Sequence, residues 1–366
     1  MKKIYILSLC LDAGGVEKCV CLLANAFSKR GYIVTVANLF ESKPIVPFEE
    51  NVKLEQITKF HTDRLKKHSL LYRFIRKYYS FLFLILYIMK LKDSIVISTR
   101  NEYSVLLSKF GRKSLLKIAQ LHNDHHFNKK LIKDFKYHYS NIDYFVHLTE
   151  KSCREIKSVM SPFNDHTKLV SIPNFVENYD YKECEKENYV ISVGRFSPEK
   201  GFPRLIDVWN NIADKNKDWK LVLIGDGPER KSILKKVNDY HLQDSVVLPG
   251  FLPNTQVFEY MRKSRIYALT SYEESFSFTL VEAMQNKLAL IAFDVRTGPG
   301  ALIKDGFNGY LINDGNIEAY AEKLGSMMNE TSLLNFLAKN SLSESEKYLE
   351  ENIIPKWEGV FENFMY

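Results

Sequence analysis

Cysteine is scarce in this sequence, and none of it falls in a C-x-x-C pair. Cys10, Cys19, Cys21, Cys153 and Cys184 form an odd, scattered set of five. That spacing argues against a structural zinc site or a thioredoxin-like redox pair, and reads as free thiols in a reducing compartment. No stretch approaches the roughly 20 apolar residues that a membrane-spanning helix needs. The longest strongly apolar run is Phe81-Leu82-Phe83-Leu84-Ile85-Leu86-Tyr87-Ile88-Met89. Low-complexity tracts and short tandem repeats are missing too. Met1-Lys2-Lys3 and the apolar residues up to Leu11 imitate a secretion signal, but they lead into Asp12-Ala13-Gly14-Gly15 without a small-x-small cleavage site. A first buried β-strand is the expectation there. Gly225-x-Gly227-x-x-Arg230 lacks the third glycine of a dinucleotide fingerprint, which disfavours NAD.

What is present describes an ordinary globular chain. The 366 residues are 45% hydrophobic and 26% charged, enough for a large core and for two domains. The net charge of +7 is unevenly spread. Between Lys59 and Lys92 nine Lys/Arg face one acid, Asp63, among aromatic and apolar residues. This stretch predicts reversible attachment to an anionic membrane surface. The competing reading is a buried helix over 79–89 whose charges are simply solvated. Nothing resembling a base-reading module accompanies the patch, so nucleic acid is not expected as a partner.

Strand and helix patterns alternate twice. In the first half, Lys3–Leu9, Tyr32–Leu39, Ile95–Ser98, Leu116–Leu121, Tyr144–Leu148 and Val170–Ile172 read as strands. Gly14-Gly15 turns into an amphipathic helix over Val16–Lys29. Glu177 to Asn188 is acidic, lacks a hydrophobic period and reads as a linker. The alternation then restarts with strands at Tyr189–Val193, Trp219–Ile224, Val246–Leu248, Ile266–Leu269 and Ala289–Phe293. Helices fit Phe202–Ile212, Glu229–Tyr240, Leu280–Gln285 and Ile317–Met328. The tail from Ser341 to Tyr366 reads as helix broken near Pro355. The expected architecture is α/β, with two doubly wound parallel sheets and ligands at the carboxyl ends of the strands in a cleft between the halves. The expected boundaries are 1–176, 189–345, and a C-terminal helix over 346–366.

The richest segment is Ser271-Tyr272-Glu273-Glu274-Ser275-Phe276-Ser277-Phe278-Thr279-Leu280-Val281-Glu282-Ala283-Met284. It follows a strand and opens a helix. A helix N-terminus offers unpaired N–H groups suited to phosphate oxygens, and carboxylates suit sugar hydroxyls. One segment could hold both ends of a sugar nucleotide.

These residues resemble the retaining glycosyltransferases of family 4, which have the GT-B fold of two Rossmann-like domains facing a central cleft. Glu274, Phe276, Glu282, Ala283 and Met284 match that family's paired-glutamate signature. Other segments follow in the family's order. Val193-Gly194-Arg195-Phe196-Ser197-Pro198-Glu199-Lys200-Gly201 looks like its G-R-x-x-x-x-K-G loop, and Gly225-Asp226-Gly227-Pro228 like its G-x-G-P turn. Gly298-Pro299 and Gly306-Phe307-Asn308-Gly309-Tyr310-Leu311 look like the later segment. Gly14-Gly15-Val16-Glu17 looks like its G-G-x-E opening. The resemblance is weakest between about residues 40 and 115.

The resemblance implies transfer of a hexose or N-acetylhexosamine from a nucleotide-diphosphate sugar, with UDP-sugar the first choice. The acceptor would be a saccharide or a lipid-linked glycan in polysaccharide or lipopolysaccharide synthesis. Arg195 and Lys200 would meet the charge of the leaving diphosphate. Glu282 would hold the ribose and Glu274 the transferred sugar, with Ser275, Phe276, Ser277 and Leu280 contributing backbone groups. His122 would approach the sugar near the reacting carbon. Gly14, Gly15 and Gly194 would allow close approach of the ligands, and Gly225, Gly227 and Phe251 would lie beside the base. No metal and no cofactor beyond the co-substrate is expected, and there is no Asp-x-Asp of the kind that anchors a metal–diphosphate in the other large glycosyltransferase fold. His122-x-x-His125-His126 could read as a metal cluster, but helical metal pairs prefer i, i+4 spacing. Ala301 stands where relatives often carry Glu, and Ser275 where Gly is common; a negative φ would accommodate the serine. The expected location is cytoplasmic, peripheral on the inner face of the membrane. The alternative is a non-catalytic relative that binds sugar nucleotide or membrane within a complex.

Overall fold

The computed structural model describes residues 2–12, 14–59, 70–122, 128–178, 183–362 and 364. The chain divides into two compact units, Met1–Glu177 with Glu350–Tyr366, and Asn178–Leu349.

The first unit is built on seven strands: β1 (Lys3–Ser8), β2 (Ile33–Asn38), β3 (Lys53–Gln56), β4 (Ser94–Ser98), β5 (Leu115–Gln120), β6 (Tyr144–His147) and β7 (Lys168–Ser171). All pair in parallel, in the order β3-β2-β1-β4-β5-β6-β7. Every residue of β4 and β5 is buried, as expected where helices cover both faces of a parallel sheet. Ile4, Ile6 and Leu7 are wholly buried, so the apolar N-terminal segment lies within this sheet as β1. The edge strand β3, Lys-Leu-Glu-Gln, is half exposed and carries no apolar run.

The second unit has six strands: β8 (Tyr189–Val193), β9 (Lys220–Ile224), β10 (Val246–Gly250), β11 (Ile266–Leu269), β12 (Ala289–Asp294) and β13 (Gly309–Asn313). They too are parallel, in the order β10-β9-β8-β11-β12-β13. The two sheets therefore share one winding scheme. The strand order reverses between β1 and β4 in the first unit and between β8 and β11 in the second. Loops at the carboxyl ends of such strands enclose a crevice, the usual ligand position in open α/β sheets.

Two departures from the sequence reading concern helices. The C-terminal segment does not break at Pro355. One helix runs Thr331–Ser345, a 3-10 turn covers Glu346–Tyr348, Leu349 is extended, and a second helix, Glu350–Glu362, continues through Pro355. The proline is the sixth residue of that helix, so its missing N–H forfeits the bond to the Glu351 carbonyl; burial of Ile353, Ile354, Trp357, Val360 and Phe361 holds the helix together across it. Within the first unit, this last helix packs Trp357 and Phe361 against Phe27 of the helix Gly15–Lys29, with ring centroids 6.1 and 5.3 Å apart.

The apolar run before β4 belongs to a long helix, Leu70–Lys90. Leu84 and Ile88 face the core, and the Tyr87 hydroxyl donates to Glu55 Oε2 at 2.6 Å. Tyr79, Leu82, Phe83, Leu86 and Met89 form an opposite, exposed stripe. Among the described residues, no helix is long and apolar enough to cross a membrane.

Candidate active site

The crevice of the second unit is formed by two loops that leave neighbouring strands. One leaves β8 and holds Gly194 to Gly201. The other leaves β11 and holds Thr270 to Ser277. Glycine is required at the end of the first loop. Gly201 has φ +64°, and a Cβ there would stand 2.1 Å from the Thr270 carbonyl oxygen. That close approach lets the Thr270 hydroxyl donate to the Gly201 carbonyl at 3.0 Å and the Tyr272 amide donate to the Glu199 carbonyl at 2.8 Å. The loops are thus joined through their backbones before any ligand enters.

Their side chains meet as well. Lys200 Nζ lies 2.7 Å from Glu274 Oε2, and the Ser271 hydroxyl donates to the same oxygen at 3.3 Å. The Glu274 side chain is only 9% exposed against 31% for Lys200, so this pair sits at the rim of the fold rather than free in solvent. From the other side, the Glu274 carbonyl accepts the Thr297 hydroxyl at 2.6 Å and the Gly298 amide at 2.7 Å. The Gly298-Pro299 turn therefore pins the backbone that presents Glu274. Ala301 lies exposed on the short helix that follows, and its carbonyl accepts the Tyr348 hydroxyl.

Glu282 is buried in the helix Phe278–Gln285. Ser277 caps this helix, accepting the Leu280 amide on its Oγ at 3.3 Å. That bond occupies the Leu280 N–H, while the earlier amides of a helix have no acceptor within it. The Phe276 ring is buried and packs 5.7 Å from Tyr348, which leaves its backbone as the part available to a ligand. Among the described residues, only Asp93, His241 and Lys287 combine a side chain with positive φ. Ser275 therefore meets the conformational condition set by its sequence position.

Arg195 is exposed; a hydrogen bond from Ser197 chiefly holds the Glu199 carboxyl below the ordinary range, and the charges of Lys200 and then Arg195 add to it. The Gly225-Asp226-Gly227 turn follows β9 and lies against the same loop: Gly225 N donates to Gly250 O at 2.9 Å and Phe196 N to Asp226 O at 2.9 Å. Phe251, just beyond β10, is 80% exposed and packs on none of these groups. Tyr267 carries no signal in the sequence beyond that of a strand residue. Its buried hydroxyl donates to the Val193 carbonyl at 3.2 Å, and desolvation pushes its ionisation upward, with Glu282 and Glu274 adding to the effect. It stays a neutral donor beside the two carboxylates.

The remaining candidates belong to the first unit, at the carboxyl ends of β1 and β5. Gly14 and Gly15 open the helix Gly15–Lys29, and the Glu17 carboxylate folds back over Gly14. The Cys10 thiol approaches Glu17 Oε1 at 3.9 Å. Burial raises the pKa of both groups. His122 is buried, its Nε2 has no partner among the described residues, and desolvation lowers its pKa from 6.5 to about 4. It is a neutral imidazole at neutral pH. His125 and His126 lie outside the described residues; among the described ones, no group of three or more His, Cys, Asp or Glu could hold a metal.

Residues 178–343 match the family model of glycosyl transferases group 1. The chain is 29% identical over 358 residues to the amylovoran biosynthesis glycosyltransferase AmsD of Erwinia amylovora, covering 95% of this chain and 96% of that protein. It is also 29% identical over 279 residues to the poly(ribitol-phosphate) alpha-N-acetylglucosaminyltransferase of Staphylococcus aureus, covering 74% of this chain and 55% of that protein. The fold matches S. aureus TarM, solved as a point mutant in complex with fondaparinux, alpha-GlcNAc-glycerol and UDP. The TM-score is 0.81 at 19% identity, with 99% of this chain and 100% of that one covered. The architecture is that of GT-B proteins, two Rossmann-like units each on a parallel sheet.

Proposed function

We propose that this chain, a glycosyltransferase by its similarity to group 1, is a retaining hexosyltransferase of family 4. It takes a hexose or N-acetylhexosamine from a nucleotide-diphosphate sugar, with UDP-sugar the first candidate. It passes the sugar to a saccharide or lipid-linked acceptor in polysaccharide, lipopolysaccharide or related glycan synthesis. The observation that carries this reading is the Lys200–Glu274 pair, held between two backbone-linked loops at the switch point of the second sheet, with Glu282 on the helix that follows.

In this reading the diphosphate displaces Lys200 from Glu274. Lys200 and Arg195 then stabilise the charge that develops on the leaving group. Glu274, freed from its cation, accepts hydroxyls of the transferred sugar, and Glu282 accepts those of the ribose. Gly194, Gly225 and Gly227 let the nucleotide approach the backbone, and Phe251 offers a ring face to the base. His122, neutral by burial, can accept or donate one hydrogen bond near the reacting carbon without adding charge. With Glu274 and Glu282 both committed to binding, no carboxylate is left as an obvious covalent nucleophile. Displacement then occurs on the front face, through an oxocarbenium–diphosphate ion pair, and the leaving diphosphate takes the acceptor proton. No metal is needed in this scheme.

The exposed stripe Tyr79, Leu82, Phe83, Leu86 and Met89 supports seating on an anionic membrane, where a lipid-linked acceptor is found, and hence a cytoplasmic, peripheral location.

Thermal unfolding with UDP, and with NAD as control, tests the donor class. UDP should raise the midpoint and NAD should not. A screen of UDP-sugars with native lipid extract as acceptor, and NMR of the anomeric product, tests the reaction. An inverted product, or a glycosyl group trapped on an Asp or Glu, would sink the mechanism. Binding of UDP without turnover of any donor would favour the non-catalytic alternative.

A further inference from the structure

Arg204 is a buried cation, 5% exposed, with no part in the chemistry proposed above. It lies in the helix Phe202–Asn210, which starts directly after Gly201. Its guanidinium donates through Nε to the Thr270 carbonyl at 2.5 Å and through Nη2 to the Ser271 carbonyl. Nη1 pairs with Asp314 Oδ1 at 2.7 Å, in the turn after β13. The guanidinium carbon lies 3.9 Å from the centroid of the Tyr272 ring and 4.2 Å from that of Phe293.

Burying a cation is costly unless its donors and charge are met. Here the carboxylate partner, Asp314, is itself 46% exposed. Two backbone carbonyls and two ring faces supply the rest. The position of those carbonyls is informative. Thr270 and Ser271 are the first residues after β11, and Glu274 hangs from the same loop three residues on. The helix that carries Arg204 also terminates the loop of Lys200. A fork carried by the helix that ends one loop therefore holds the backbone of the other, and the side chains of the two loops meet as Lys200–Glu274.

We propose that Arg204 is a positioning residue for sugar transfer: its fork on the Thr270 and Ser271 carbonyls sets where Glu274 stands relative to Lys200. This rests on the function proposed above. Lysine cannot take its place, because an ammonium lacks the fixed planar fork and the face that stacks on Tyr272. Asp314 orients the fork from its outer side.

The test uses the full chain with Arg204→Lys and, as a milder change, Asp314→Asn. UDP affinity is measured by calorimetry, UDP-sugar turnover (including slow donor hydrolysis) by UDP release, and backbone amide exchange by mass spectrometry. The expected result for Arg204→Lys is a folded protein whose turnover falls about 30-fold or more, while its UDP affinity and donor KM stay within about threefold. Amide exchange in residues 270–277 should quicken at least about tenfold, while β8 and β9 keep wild-type protection. Asp314→Asn should move in the same direction by less. Wild-type turnover with slow exchange in Arg204→Lys would overturn the proposal. So would a loss of turnover that only follows a general loss of protection and UDP binding, since Arg204 would then be a fold residue alone. If the wild type neither binds UDP nor acts on any UDP-sugar, the proposed function fails instead. The exchange pattern of residues 270–277 then still decides whether Arg204 holds this loop.

Discussion

The two units share a winding scheme and differ in how their crevices are finished. In the second unit, the loops after β8 and β11 are joined by Thr270–Gly201 and Tyr272–Glu199 hydrogen bonds and by the Lys200–Glu274 pair. In the first, the corresponding edge is quieter. Glu17 is folded over Gly14, Cys10 approaches it weakly, and His122 holds a nitrogen with no described partner. One crevice is built in advance, with cations and carboxylates already opposed. The other presents the half-buried Cys10 and Glu17 and the buried, neutral His122. A preformed polar site suits an invariant part of a substrate, such as a nucleoside diphosphate. A site without such opposed charges suits the part that varies.

The largest expected effect would break the comparison at its stronger side. Lys200→Ala should lower kcat by about 10²–10³-fold, the usual cost of losing one preorganised charge at a leaving group. Glu274→Ala should also lower kcat, whereas Glu282→Ala should mainly raise donor KM. Steady-state kinetics on the three variants checks the division. Unchanged turnover in Lys200→Ala would mean the second crevice is not the reacting centre.

Next comes the backbone contact. Gly201→Ala adds a Cβ 2.1 Å from a carbonyl oxygen at φ +64° and should cost about 2–4 kcal/mol of stability. Gly31→Ala in the first unit has φ +83° but nothing within 4 Å. It should cost only the conformational share, about 1 kcal/mol. Urea unfolding of both variants separates the clash from the dihedral cost. Equal losses would deny the loop contact its importance.

A smaller effect, confined to acid, belongs to the first unit. His122 has its folded pKa lowered from 6.5 to about 4. The unfolded chain therefore binds the extra proton between those values, and stability falls as the pH drops from about 6.5 to about 4, then levels off. The loss across that window amounts to roughly 3 kcal/mol. His122→Gln should flatten that part of the stability–pH curve. An unaltered curve would show that other groups cause it.

The smallest expected effect on the fold comes from the outer stripe of the helix Leu70–Lys90. Leu82→Ser with Leu86→Ser should change stability by no more than about 0.5 kcal/mol, since both side chains are exposed. Sedimentation with anionic vesicles should nevertheless show weakened binding. Retained binding would leave the stripe without a membrane role.

The second unit is the more legible from sequence, for a physical reason. Its strands are short apolar runs closed by glycine or polar residues, so Tyr189–Val193 and Ile266–Leu269 can be read with their observed bounds. In the first unit, β3 escapes notice because a short edge strand with no buried residue, Lys-Leu-Glu-Gln, needs no apolar run. β13 hides inside a segment whose glycines dominate its pattern. The helix Leu70–Lys90 begins among charged residues that mask its period. Pro355 reads as a breaker because the burial of Ile353, Ile354 and Trp357, which holds the helix across it, is not visible in a sequence. Lys200 and Glu274 stand out in their loops, but their pairing depends on a backbone approach that no spacing reveals. Arg204 gives no signal at all. An arginine one position away from an apolar stripe reads as solvated charge, and only the folded positions of Tyr272 and Phe293 show otherwise.

The return of the last helix to the first unit has a consequence for how the protein is made. The second unit is one continuous stretch, from Asn178 to Leu349, whereas the first unit needs Glu350–Glu362 to cover Phe27. During synthesis, the half that begins first is therefore completed last. Until Trp357 and Phe361 emerge from the ribosome, one face of the helix Gly15–Lys29 lacks its cover, while the later half already has its whole sequence. A stop codon placed just before that helix would leave the second unit intact and the older half unfinished.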